Sequence, residues 1–286
     1  MSAKFGPAGT SDNFKALGFK NSFQIPEFVK KAGLDCFEYQ CGRGVNIGLQ
    51  KATELGQIAK EEGISLSLHA PYYISMSSVE EQKRLNSVNY ILDSARAVNA
   101  MGGDRIVVHT GSCSKISREQ ALELAKDTMR LAIEALESEG LSNVHICPET
   151  MGKVNQLGTL YEVMELCKLD ERLIPCIDFG HLNARDLGII KTKADFENIL
   201  LTIKNELGSE RVKNFHSHFS KIEYTTGGEK RHLTFEDNIF GPDFEPLMEL
   251  VAKYDLSPVF ICESAGTQDI DAKQMKDYYE YSLTKI

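Results

Sequence analysis

Six short apolar runs in this chain each end on an imidazole or a carboxylate. In VNAMGGDRIVVHTGS, the branched residues Ile106 to Val108 deliver His109 onto a turn at Gly111. The runs ISLSLHAPY, NVHICPETMG, LIPCIDFGH, VKNFHSHFSK and VFICESAG end in the same way on His69, on Glu149, on Asp178 and His181, on His216 and His218, and on Glu263. All of these side chains are hard or borderline metal ligands. A fold that gathers these strand ends at one mouth has to reconcile several carboxylates and imidazoles. Burying them together without a cation costs several kcal/mol per unpaired charge.

Between the runs lie helix-like segments. Pro26 and Gly33 bracket a short helix, and a longer one from about Gly48 to Glu62 ends at Gly63. Val88, Ile91, Leu92, Ala95, Val98 and Met101 recur at helical spacing. Ser117 with Gln120, and Thr159 with Glu162, form capping-box patterns. Strand and helix alternate from a first strand near Lys4 to Pro7 as far as a terminal helix, with no Pro-, Gly- or Ser-rich linker. That alternation predicts an α/β protein, a single (β/α)8 TIM barrel over residues 1–286, with a metal site at the C-terminal ends of its strands. The longest irregular insert, Lys221 to Pro242, is expected to lie over the mouth.

Composition narrows the functional classes. A length of 286 residues and an apolar fraction of 42% suit one domain with a sizeable core. No apolar stretch is long enough for a membrane span, and MSAKFGPAGTSDNF lacks the regions of a secretory signal. The expectation is a cytoplasmic monomer with no membrane or protein partner. The seven cysteines lack CxxC spacing and are expected to be reduced. A net charge of −9 argues against nucleic-acid binding by a broad basic surface, while leaving room for a cleft whose field bound cations reverse.

A lone histidine on an apolar strand is usually a hydrogen-bonded core residue, and His145, four residues before Glu149, is read as one. A single carboxylate such as Glu149 is as easily a cap or an ion-pair partner. The whole set is harder to explain in that way, because metals remove a conflict that caps cannot.

The ordered series SLHAPY, VVHTGS, PETMGKVNQLG, CIDFGH, HSHFSK, RHL and ICESAG resembles the endonuclease IV family of apurinic/apyrimidinic endonucleases, within the xylose-isomerase-like barrels. The likeness runs from about residue 60 to the C-terminus. It implies a zinc-dependent endonuclease that cleaves duplex DNA 5′ to abasic sites in DNA repair. His69, His109 and Glu149 would hold one zinc. Glu149 would bridge to a second, held also by Asp178, His216 and Glu263, and His181 and His232 would hold a third. Glu149 would orient the nucleophile. Tyr72 matches the tyrosine that presses into the duplex, and Arg43 is the one evident phosphate partner in EYQCGRGVN, where the family carries a DNA-contacting loop.

The chain departs from the pattern at Lys230, which stands where the family has an aspartate two residues before the last histidine. A lysine ammonium does not ligate a cation, so two zinc ions are expected and the third is left open. Either Glu229 substitutes after a one-residue shift, or Lys230 replaces the ion's charge at the phosphate. Manganese or iron suits the same donors. Two other readings stand. A divalent-metal sugar isomerase or epimerase would need only Glu149, Asp178, His216 and Glu263. A catalytically silent metal-binding protein would neither cut DNA nor convert sugars.

Overall fold

Strands separated by helices pair in parallel, and here the pairing closes on itself. The computed structural model describes residues 2–113 and 116–286. Its barrel strands are β1 (Lys4–Pro7), β2 (Cys36–Gln40), β3 (Ser65–His69), β4 (Arg105–Val108), β5 (His145–Pro148), β6 (Cys176–Asp178) and β7 (His216–Phe219). A hairpin of β8 (Ile222–Thr225) and β9 (Gly228–His232) follows, and β10 (Val259–Cys262) is the eighth barrel strand. Two parallel arcs, β1-β10-β7-β6 and β2-β3-β4-β5, are joined by bridges from Ala8 to Glu38 and from Glu149 to Cys176. The result is the TIM barrel that the alternation predicts.

A strand covered on both faces sends alternate residues inward and outward. The outward set is large and apolar. Phe5, Phe37, Leu68, Phe215, Phe219 and Phe260 are buried under the helices, and Phe5 stacks on Phe260 with ring centroids 5.3 Å apart. Each such side chain contributes roughly 2–3 kcal/mol. The inward set is smaller and more polar, including Cys36, Glu38, Ser67, Cys147, Cys176 and His216, all buried. Room inside is scarce at the β1–β2 closure, where a Cβ on Gly6 would lie 1.8 Å from the Cys36 carbonyl oxygen.

The helices end where their caps direct. Ser117 and Thr159 both form complete capping boxes, with Gln120 and Glu162. In the helix Arg118–Ser138, the residues Leu122, Ala125, Met129, Ala132 and Leu136 turn to the barrel. All seven cysteines are free and six are buried. Among the described residues no helix is long and apolar enough to cross a membrane. The segment expected to be irregular, Lys221 to Pro242, instead contains the β8–β9 hairpin, which is bridged to the β5–β6 loop through Lys153 and Gly228.

Candidate metal centre

The parallel strands present their last inward residues at one rim. His69 is the final residue of β3, His109 and Glu149 follow β4 and β5 directly, Asp178 ends β6, and Glu263 follows β10. Asp178 also caps the helix Phe179–Arg185, accepting the His181 backbone N–H at 2.7 Å and so fixing His181 in the first turn. His69 Nε2 lies 3.5 Å and His109 Nε2 3.2 Å from Glu149 Oε2. On the other oxygen, His218 Nδ1 is 3.1 Å and His181 Nδ1 3.3 Å away. His218 Nδ1 is also 3.6 Å from Glu263 Oε2.

The orientation of these groups tests whether a cation fits. His69 Nδ1 sits 2.9 Å from the Ala70 carbonyl and donates to it, which turns the bare Nε2 of a neutral ring toward a carboxylate oxygen. Two acceptors then face each other. Glu149 Oε2 and Asp178 Oδ2 are buried with no hydrogen-bond partner among the described residues. Protons or metal ions resolve that conflict, and the electrostatics of the protein alone shows the proton solution. Burial acts to lower the His69 pKa, but Glu149 outweighs it and lifts His69 to about 9. Burial likewise acts to raise Glu149, yet His218, His109 and His181 hold it well below the usual carboxylate range. Asp178 is lifted by burial and by the charges of Glu263 and Glu149, against the pull of His181. Imidazole and carboxylate donors in this arrangement fit divalent cations.

The hairpin adds a third donor set. Glu223 pairs with Arg231 but Tyr224 pairs with Glu229, so Lys230 is the extra residue of a β-bulge. The bulge breaks strict alternation and places Glu229 and His232, three residues apart, on the side of His181. Glu229 Oε2 lies 3.4 Å from His181 Nε2, and His181 Nδ1 is 3.0 Å from the Thr150 carbonyl, to which it donates. Space for this approach exists because residue 152 is glycine, where a Cβ would meet the Glu229 Cβ at 2.6 Å. Lys230 itself turns outward and pairs with Glu223 at 2.5 Å. The expectation that Lys230 substitutes for a cation's charge is therefore corrected: its ammonium is not in the cluster, and Glu229 occupies the inward position.

A second correction concerns β7. His216 and His218 share the inward face, but His218 stands one pleat nearer the mouth and joins Glu149, Asp178 and Glu263 as one group of donor atoms within 4.8 Å of one another. His216 lies deeper, with Nε2 2.9 Å from Glu38 Oε2, and groups with His218 and Cys176 rather than with Glu149, Asp178 and Glu263. Burial lowers its pKa. Glu38, fully buried on β2, escaped the sequence reading because it does not end its strand. Its signal was a carboxylate in CFEYQ with the same parity as the inward Cys36. His145 is the hydrogen-bonded residue expected, with Nδ1 2.8 Å from the Arg172 carbonyl.

Tyr72 and Tyr73 stand on the rim, each about half exposed, with ring centroids 4.5 Å apart. The Tyr72 hydroxyl donates to Tyr73 at 3.4 Å. Arg43 approaches the same hydroxyl.

The sequence matches the xylose isomerase-like TIM barrel family over residues 26–282. An uncharacterised protein of Methanocaldococcus jannaschii is 33% identical over 276 residues, covering 96% of this chain and 97% of that one. A protein of Acholeplasma laidlawii named "probable endonuclease 4" is 28% identical over 200 residues, covering 62% of this chain and 67% of its own. Among solved structures, a D-tagatose 3-epimerase-like protein superposes with a TM-score of 0.71 at 18% identity, covering 99% of this chain and 98% of its own, a likeness of fold alone. With most of its length matched and its barrel closed as described, the chain belongs to the xylose isomerase-like TIM barrel family.

Proposed function

We propose that the protein is a metal-dependent phosphodiesterase that cuts duplex DNA on the 5′ side of abasic sites. The observation that carries this reading is that the donors fall into three adjacent sets at one mouth. His69, His109 and Glu149 form the first, Glu149, Asp178, His218 and Glu263 the second, and His181, Glu229 and His232 the third. A single-ion enzyme needs only the second. The two further sets suit a substrate that brings its own negative charge, and the relationship to a protein named for endonuclease activity supports the same class. Zinc suits all three sets, and manganese or iron is accepted by the same donors. When bound, such ions supply Lewis acidity, activation of the attacking water and neutralisation of phosphate charge.

The chain's own groups have separable roles in this reading. Glu149, approached by imidazoles at both oxygens, is held in one orientation and positions the nucleophile. His181, bonded to the Thr150 carbonyl, keeps its Nε2 turned to Glu229. Tyr72 and Tyr73 offer a stacking surface beside the lesion, and Arg43 a phosphate contact.

A sugar epimerase is the second reading, favoured by the completeness of the four-residue set alone. One experiment separates the two: metal-replete protein is incubated with a duplex carrying one abasic residue and, in parallel, with a panel of ketoses. Strand cleavage is expected, reduced about a thousandfold or more in Glu149→Gln with the circular dichroism spectrum unchanged. Metal analysis is expected to give three ions per chain, and two in Glu229→Ala. Ketose conversion with the duplex left intact would establish the epimerase instead.

A further inference from the structure

Beneath the mouth lies a buried carboxylate that, among the described residues, is paired with histidines and with no arginine or lysine. Glu38 is fully buried. Its Oε2 accepts from Ser67 Oγ at 3.0 Å and from His216 Nε2 at 2.9 Å. Its Oε1 accepts from Gln40 Nε2 at 3.2 Å and lies 2.9 Å from His218 Nε2, close but without the alignment of a straight hydrogen bond. A carboxylate buried for structural reasons alone is normally matched by Arg or Lys. Here the hydrogen-bond donors are a hydroxyl, an amide and the His216 imidazole, with the His218 imidazole in ion-pair range, so the negative charge is offset only through imidazoles. His218 is the one that also reaches the mouth, where its Nδ1 faces Glu149 and Glu263. A ring held from behind by a carboxylate has its tautomer and plane set and its basicity raised toward a cation in front.

We propose that Glu38 is a positioning residue that fixes His218 with Nε2 protonated and Nδ1 presented to the Glu149, Asp178 and Glu263 group, so that the tightness of cation binding at this set depends on a residue that does not touch the ion. This inference rests on the reading of the mouth as a metal centre. Ser67 and His216, buried beside Glu38, and Gln40, two residues further along β2, each use a hydrogen bond to hold the carboxylate. His216 is the complementary case: bonded to the same carboxylate by Nε2, it has a buried Nδ1 with no hydrogen-bond partner among the described residues and no place in the upper set.

The test uses the full chain, stripped of metal and titrated with cobalt(II), whose visible absorption reports the ligand field. Wild type is expected to bind cobalt with a d–d spectrum. Glu38→Gln is expected to keep its far-ultraviolet circular dichroism while binding cobalt at this site about 10–100-fold more weakly, with a shifted spectrum, and Glu38→Asp is expected to recover part of the affinity. If wild type takes up no cobalt, the metal reading itself fails. If wild type binds and Glu38→Gln matches it in affinity and spectrum, only the positioning role fails. Should Glu38→Gln not fold, nitrogen-15 histidine correlations on zinc-loaded wild type decide the matter. A protonated His218 Nε2 with Nδ1 ligated supports the assignment, and ligation through Nε2 overturns it.

Discussion

Tyr72 and Tyr73 expose about half of two large rings at a rim otherwise lined with charge, an arrangement that neither burial nor hydrogen bonding requires. If the pair stacks on the duplex, Tyr72→Ala removes one base-sized contact, worth about 1–3 kcal/mol. The expected result is a KM for abasic duplex raised roughly fivefold to a hundredfold with kcat little changed, measured by steady-state cleavage. An unchanged KM would reassign the pair to covering the loop. Glu149 belongs to a different class of residue. Both its oxygens face imidazoles, so under the proposed function its replacement is expected to lower kcat rather than raise KM.

At the scale of elements, the loop from Met151 to Gly158 links the centre to the hairpin, and two arginines hold it by its carbonyls. Arg185 donates to the Lys153 carbonyl at 2.8 Å and the Val154 carbonyl at 3.0 Å. Arg118 reaches the Val154 and Gln156 carbonyls and forms a two-pronged pair with Glu162 at 2.8 and 2.6 Å. Glu162 also accepts the Gly158 and Thr159 N–H groups at 2.8 Å each. Burial acts to raise the Glu162 pKa, but Arg118 and those backbone donors bring it below the ordinary value. A lowered carboxyl stabilises the fold above its unfolded value, about 4.3, and that contribution is lost as pH falls through the folded value. Thermal melts between pH 7 and 3 are therefore expected to show Glu162→Gln less stable by roughly 1–3 kcal/mol at neutral pH, with the difference shrinking below about pH 4. A constant difference across that range would mean that the charge is not what Glu162 contributes.

For the whole molecule, the centre ties β3, β4, β5, β6, β7 and β10 to the hairpin through side chains whose charges conflict without cations. An ion that binds only the folded state stabilises it by about 2.7 kcal/mol at 100 times its dissociation constant, which is about 4–5 °C in a chain of this size. Metal-loaded protein is expected to melt higher than chelated protein by at least that margin, and the same melt with and without chelator would remove the metal from the account of stability. The sequence by itself determined the barrel, the capping boxes at Ser117 and Thr159, the hydrogen-bonded role of His145 and most of the residues at the mouth. Those depend on local periodicity and on which residue ends an apolar strand. Only the tertiary structure decided between His216 and His218, because both have the inward parity and their height depends on the stagger of β7 against its neighbours. It alone showed Glu38, whose partners come from strands far away in sequence, and it alone turned Glu229 inward and Lys230 out, because one bulged residue shifts the phase of a strand and the residue types do not reveal where the bulge falls.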